Sequence, residues 1–168
     1  MNNEKKYILS KEIAGNKLRR IALELVERNY NEPQLVLVGI KENGIVIANI
    51  IAGFLKESFK GEIIVTALSI DKKKPSTITI DPAFDFNNKV VILIDDVANS
   101  GRTMLYSLKP LLETYPAKIQ TAALVERTHK SFPVGLDYVG LSISTTLDEH
   151  IYVEVQSGEV LGAWMESS

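Results

Sequence analysis

The feature that most restricts the fold is a run of aliphatic residues, Val90-Val91-Ile92-Leu93-Ile94, that ends on two adjacent carboxylates, Asp95 and Asp96. A strand with no polar face must be buried on both sides, and such strands occur chiefly in parallel sheets covered by helices. Two neighbouring aspartates are costly inside such a strand unless they emerge at its end. A small polar turn, Ala98-Asn99-Ser100-Gly101-Arg102-Thr103, comes next and leads into a helical pattern at Leu105, Leu108 and Leu112. Pro110 removes an amide from that helix and is expected to kink or end it.

The rest of the chain repeats this alternation. Ser10 can cap a helix whose stripe is Ile13, Ala14, Leu18, Ile21, Ala22 and Leu25. Leu35 to Ile40 reads as a short buried strand, and Gly44 opens an amphipathic segment carrying Ile45, Ala48, Ile51, Phe54 and Leu55. Further strands are expected at Glu62 to Ile70, Ile119 to Val125 and Tyr138 to Ile143, with an irregular connection over 71–88 holding a short strand at Thr77 to Ile80. The segments Ile151 to Val155 and Val160 to Met165 flank Gln156-Ser157-Gly158-Glu159 and read as a hairpin. Strands alternating with helices predict an α/β fold: a doubly wound, mostly parallel sheet flanked by helices, with a small C-terminal β hairpin. No linker divides the 168 residues, so one domain over 1–168 is expected.

Composition removes several function classes. The chain has no cysteine and two histidines, which leaves no thiolate site and no clustered zinc ligands and suits the cytosol. No signal-peptide pattern or membrane-length apolar run is present, so a cytoplasmic protein is expected. The net charge of −2 argues against a surface coated by nucleic acid, although short basic clusters occur at Lys17 to Arg20 and Lys72 to Lys74. Their plainer reading is solvated surface.

In a doubly wound sheet, ligands bind beyond the carboxyl ends of the strands, where Asp95 and Asp96 fall. Backbone amides from Asn99 to Thr103, at a helix start, favour a phosphate, with Ser100 and Thr103 as added donors and Gly101 permitting close approach. Paired carboxylates beside such a turn can accept from vicinal hydroxyls or help hold a cation, which together describes a pocket for a phosphorylated sugar. The same residues would also serve as an ordinary helix cap and turn.

The stretch "ILIDDVANSGRT" resembles the phosphoribosyl pyrophosphate (PRPP) signature of the type I phosphoribosyltransferases. "IALELVERN", "LVLVGIKENG" and "LVERTHKSFPVGLDYVG" resemble the first helix, pyrophosphate loop and base-side segment of the PyrR group, which comprises pyrimidine-operon attenuators and uracil phosphoribosyltransferases. The resemblance implies that Asp95 and Asp96 contact the ribose hydroxyls and touch Mg²⁺ directly or through water. It implies that Val97, Ala98, Asn99, Ser100, Gly101, Arg102 and Thr103 hold the 5′-phosphate, and that Gly39, Ile40 and Lys41 face the pyrophosphate. Glu126, Arg127, Val139, Gly140 and Leu141 are implied on the base side. Mg²⁺ is the implied cofactor, and PRPP with a nucleobase or nucleotide the implied partners. Relatives of this kind generally self-associate, so a homodimer or larger assembly is expected, and RNA is a further partner that the net charge does not favour.

The chain departs from that pattern at three places. Glu42-Asn43 stands where the group has Thr-Arg, which sets an acid beside a charged leaving group and leaves Lys41 as the cation for electrostatic clamping. The connection from Ser69 to Asn88 lacks the group's acidic and arginine-bearing loop sequence, and lysine does not replace an arginine fork. Leu141 and Ser142 replace a lysine and an asparagine. Relatives that use 6-oxopurines carry an aspartate at the position of Asn99 and a lysine at that of Glu126. Their replacement predicts uracil over hypoxanthine or guanine. A non-catalytic, nucleotide-binding regulator is the alternative reading of these departures.

Overall fold

The computed structural model describes residues 4–71, 73–75 and 77–168. Lys72, part of the basic cluster read from the sequence, lies outside the described residues. The elements run β1 (Lys6–Ser10), α1 (Lys11–Asn29), β2 (Gln34–Ile40), α2 (Asn43–Ser58), β3 (Glu62–Ile70), β4 (Ile78–Asp81), β5 (Val90–Ala98), α3 (Arg102–Leu112), β6 (Lys118–Arg127), β7 (Tyr138–Ile143), β8 (Glu149–Gln156) and β9 (Glu159–Ser167).

Six strands form one sheet in the order β4-β3-β2-β5-β6-β7, parallel throughout except for the antiparallel edge strand β4. This is the doubly wound arrangement expected from the alternation. β2 and β5 lie side by side in the middle of the sheet, and their side chains divide between its faces. Leu35, Leu37, Ile92 and Ile94 pack under α1 and α2, while Val36, Val38, Val91 and Leu93 pack on the α3 side. Both faces are dry, which is why neither strand shows a polar alternation.

The first helix starts as expected. Ser10 Oγ accepts a hydrogen bond from the Ile13 amide at 3.1 Å, and Ala14, Leu18, Ile21, Ala22 and Leu25 are buried. Ile13 itself is exposed, because the stripe begins one residue later than the sequence suggests. In α3 the register differs more. The buried positions are Met104, Ser107 and Leu111, whereas Leu105 and Leu108 are half-buried and Leu112 is exposed. Pro110 falls within the last turn, and the helix stops two residues later at Leu112. The second half of the irregular connection is packed rather than loose: Phe86 is buried against Val91, Leu93 and Leu111, and Phe84 tilts onto it with ring centroids 5.3 Å apart.

A second sheet was only partly visible in the sequence. The C-terminal hairpin exists, turned by Ser157 and Gly158, both with positive φ (51° and 78°), as a two-residue hairpin turn of matching twist requires. It does not stand alone. β1 adds antiparallel to β9, giving a three-stranded sheet in the order β1-β9-β8. Leu9, Ile151, Val153, Val160, Ala163 and Met165 bury its inner face in the core that α1 and α2 share. Its outer face carries a row of aromatic rings: Tyr7 and Tyr152 are the cross-strand partners of Trp164. Tyr152 stacks on Trp164 with centroids 4.4 Å apart, and the Lys5 ammonium lies 4.3 Å from the indole centre. No helix among the described residues is long and apolar enough to cross a membrane.

Candidate functional site

The carboxyl ends of β2, β3 and β5 open into one cleft of about 730 Å³. Ile40, Lys41, Glu42 and Asn43 form one side, Ser69 and Ile70 another, and Asp95, Asp96, Val97, Asn99 and Thr103 the floor. His150, Ile151, Tyr152 and Val153 of β8 border it from the second sheet. A smaller pocket shares Asp95, Val97, Asn99 and Thr103 and continues along the turn through Ala98, Ser100, Gly101 and Arg102 to Met104.

The two carboxylates are held in defined poses. Asp95, 8% exposed, accepts the Asp96 amide on Oδ1 at 2.8 Å, and Asp96 Oδ1 accepts the Val97 amide at 2.7 Å. Asp96 Oδ2 accepts the Asn43 carboxamide at 3.0 Å. The turn beyond them is tied down by hydrogen bonds. Gly101 adopts φ 88°, a left-handed conformation that glycine takes without strain. A methyl group there would also lie 3.1 Å from the Phe132 carbonyl oxygen. Ser100 O accepts the amides of Ser131 and Phe132, and Lys130 Nζ reaches the carbonyls of Ala98 and Asn99 at 3.3 and 3.4 Å. The N-cap of α3, Gly101, has no side chain, and Ser100 Oγ accepts the Arg102 amide at 3.3 Å, which leaves the other first-turn amides to face the turn, the arrangement that receives an anion.

Glycine shapes the opposite side. A Cβ on Gly39 would sit 2.5 Å from Ile45 Cα, and one on Gly44 would sit 2.7 Å from Ile94 O. These contacts let the loop between β2 and α2 lie directly against the end of β5. The Lys41 amide donates to Leu68 O at 2.7 Å, which ties the loop to β3. Lys41 and Glu42 are exposed at the cleft.

The expected base-side residues lie outside this cleft, in contacts of their own. Glu126 pairs with Lys130 at 3.4 Å and accepts from Ser142 Oγ at 3.0 Å. Arg127 donates to Thr145 Oγ1 and Thr146 O, which fixes the connection between β7 and β8. The carbonyls of Val139 and Gly140 accept from Arg20 of α1, and Leu141 packs on the core. Asn43 and the β8 residues are the site members that sequence reasoning missed. Asn43 was visible only as a departure from a pattern, and β8 carries no local sign that it borders a cleft.

A largely parallel sheet with paired acids at the end of a middle strand, a glycine-capped helix start beside them and a tight glycine-bounded loop opposite defines a class. Residues 6–158 match the model of the phosphoribosyl transferase domain, and the chain belongs to that family. Within it, the chain is 38% identical to the Bifunctional protein PyrR of Bacillus cereus (strain B4264) over 165 residues, covering 91% of this chain and 92% of the relative. The same figures hold for the Bifunctional protein PyrR of Bacillus anthracis (strain A0248). Among solved structures, a hypoxanthine-guanine phosphoribosyltransferase from Bacillus anthracis superposes with a TM-score of 0.73 at 17% identity, covering 99% of each chain. The hypoxanthine phosphoribosyltransferase of Trypanosoma cruzi gives 0.73 at 15% identity over 83% of this chain and 82% of that one. At these identities the structural likeness speaks for the fold alone.

Proposed function

We propose that the protein transfers the 5-phosphoribosyl group of PRPP to a nucleobase, with uracil preferred, and releases pyrophosphate. The observation that carries this reading is the meeting of three parts in one cleft: Asp95 and Asp96, the glycine-capped start of α3, and the loop from Ile40 to Asn43. The 5′-phosphate takes amides of the turn from Asn99 to Thr103, beyond the Val97 amide that Asp96 Oδ1 already holds. The ribose hydroxyls donate to Asp95 and Asp96, and the diphosphate lies along Gly39, Ile40 and Lys41, with the Lys41 ammonium offsetting charge that grows on the leaving group. No protein nucleophile is required, because the base nitrogen attacks the anomeric carbon as the C–O bond to pyrophosphate breaks.

The donor set fits Mg²⁺ carried by the substrate. Among the described residues no group of three or more His, Asp or Glu side chains converges. Asp95 and Asp96 offer hard oxygen donors, and magnesium bound to phosphates typically takes only one or two protein carboxylates. When bound, the ion would neutralise diphosphate charge. Uracil is favoured because Asn99 cannot act as a carboxylate base toward a purine ring, and because position 126 holds a carboxylate, paired with Lys130 and Ser142, where a purine's exocyclic oxygen would need a cation. The resemblance of "LVERTHKSFPVGLDYVG" to the base-side segment of the PyrR group implies the same preference. The reading includes a cytoplasmic protein of one domain that self-associates.

One observation favours a second reading, a PRPP- or nucleotide-binding regulator. Glu42 lines the cleft beside the expected diphosphate, where like charge weakens leaving-group binding. Incubation with PRPP, Mg²⁺ and uracil, hypoxanthine or guanine separates the two. Nucleotide formation fastest with uracil is expected. Faster turnover of a purine sinks the base assignment, and PRPP binding without turnover supports the regulator. Calorimetry with the combined Asp95→Asn and Asp96→Asn variant tests the ribose assignment, which fails if PRPP affinity is unchanged.

A further inference from the structure

Asn43 joins three parts of the chain through one carboxamide. Its Nδ2 donates to Asp96 Oδ2 at 3.0 Å and to Val153 O of β8 at 3.1 Å, so the β2–α2 loop, the end of β5 and the second sheet meet on a single nitrogen. Both partners are acceptors, which fixes the orientation of the amide: the nitrogen, not the oxygen, must face them. The two N–H groups of that nitrogen are both used. Asp96 Oδ1 is occupied by the Val97 amide at 2.7 Å, so the Asn43 bond supplies the second fixed point on the carboxylate and determines its rotation.

We infer that Asn43 is the positioning residue that aims Asp96 at the ribose, and that the preference of the cleft for a ribose over a deoxyribose depends on it. The inference rests on the proposed reading of Asp95 and Asp96 as acceptors for the ribose hydroxyls. A carboxylate held at one oxygen only can turn about its side-chain torsion and fill its open position with water. Held at both, it presents its remaining lone pairs in one direction, without an ordering cost on binding. The tie to Val153 adds the second sheet to the same junction, so the β8 border of the cleft and the acid on its floor are set together.

The test compares ribose recognition with phosphate recognition. Uridine 5′-monophosphate, its 2′-deoxy and 3′-deoxy counterparts, and inorganic phosphate are titrated calorimetrically into the wild-type chain, Asn43→Leu and Asn43→Gln. Asn43→Leu removes both donors at similar volume and without adding charge; Asn43→Gln keeps the donors but moves them by one carbon. The wild type is expected to prefer the ribonucleotide over at least one deoxy form. In Asn43→Leu that ratio falls about tenfold or more, the worth of a hydrogen bond to a charged group, with partial recovery in Asn43→Gln and a smaller change in inorganic phosphate binding than in the ribonucleotide. A ratio unchanged in both variants overturns the inference. A parallel loss for all four ligands also overturns it, because it marks a general structural role. A wild-type chain that binds the nucleotides without distinguishing ribose from deoxyribose refutes the assignment of Asp95 and Asp96 instead, and the inference falls with it.

Discussion

Replacing Gly44 by alanine adds one methyl group where the first turn of α2 touches the end of β5. The new Cβ would stand 2.7 Å from Ile94 O and 3.2 Å from Asp95 Cα, both backbone atoms that no rotamer change can move. Ordinary carbon–oxygen contact needs roughly half an ångström more, so the helix start and the strand end must separate. Overpacking of this kind costs about 1–3 kcal/mol, and the gain in helix propensity, at most about 1 kcal/mol in a helix interior, is smaller in a first turn. The net loss is about 2 kcal/mol, equivalent to roughly 4–8 °C in midpoint for a chain of this size. Gly53, in the same helix, has nothing within 4 Å of its virtual Cβ, so Gly53→Ala isolates the propensity effect and should stabilise by about 0.5–1 kcal/mol. Urea unfolding of the wild type and both variants measures the contrast, and calorimetry with PRPP should show weakened binding for Gly44→Ala alone. A Gly44→Ala protein as stable as Gly53→Ala would refute the close-approach argument.

Lys130→Met removes a partly buried ammonium that pairs with Glu126 and donates to the carbonyls of Ala98 and Asn99; a loss of about 1–3 kcal/mol in urea unfolding is expected. Burial raises the Tyr138 phenol above its ordinary 10.0, against the opposing effect of Arg28. The folded state therefore holds this proton more tightly than the unfolded chain. Its contribution is complete below about pH 10 and declines as pH rises through the folded value, so the stability gap between wild type and Tyr138→Phe should shrink above about pH 10 by urea titration. Trp164 is the sole tryptophan and stacks on the cleft-lining Tyr152, so a nucleotide entering the cleft should change its emission, and Tyr152→Ala should reduce that response.

The parts of the site that could be read in the sequence are those formed by contiguous residues. Val90 to Thr103 carry a buried strand, two acids and a glycine-capped helix start in order, and each local preference agrees with the final fold. The opposite wall was not legible. Asn43 reaches Asp96 through a contact between distant segments, and β8 arrives from a second sheet whose third member, β1, is five residues with a weak pattern. In α3, two candidate stripes lie one residue apart, and the one containing Ser107 is buried because Phe86 and the sheet present their surface to it. Tertiary packing made that choice; periodicity alone favoured the leucines. Glu126 illustrates the same point for charge, since its partners Lys130 and Ser142 decide whether it faces a ligand.

The pairing of β1 with β9 has a consequence for biosynthesis. Lys6 lies opposite Met165 and Tyr7 opposite Trp164, so β1 finds its partner only after β2 to β8 have been made. The six-stranded sheet can assemble progressively from β2 to β7, but β1 waits through all of it with an unpaired edge, and the closure of so long a loop comes late in folding. The Asn43–Val153 bond depends on β8 and therefore belongs to that last step. A nascent chain halted before β8 would carry Asp95, Asp96 and the turn beyond them without the side of the cleft that β8 supplies, so binding competence arrives with β8 rather than with the sheet that bears the acids.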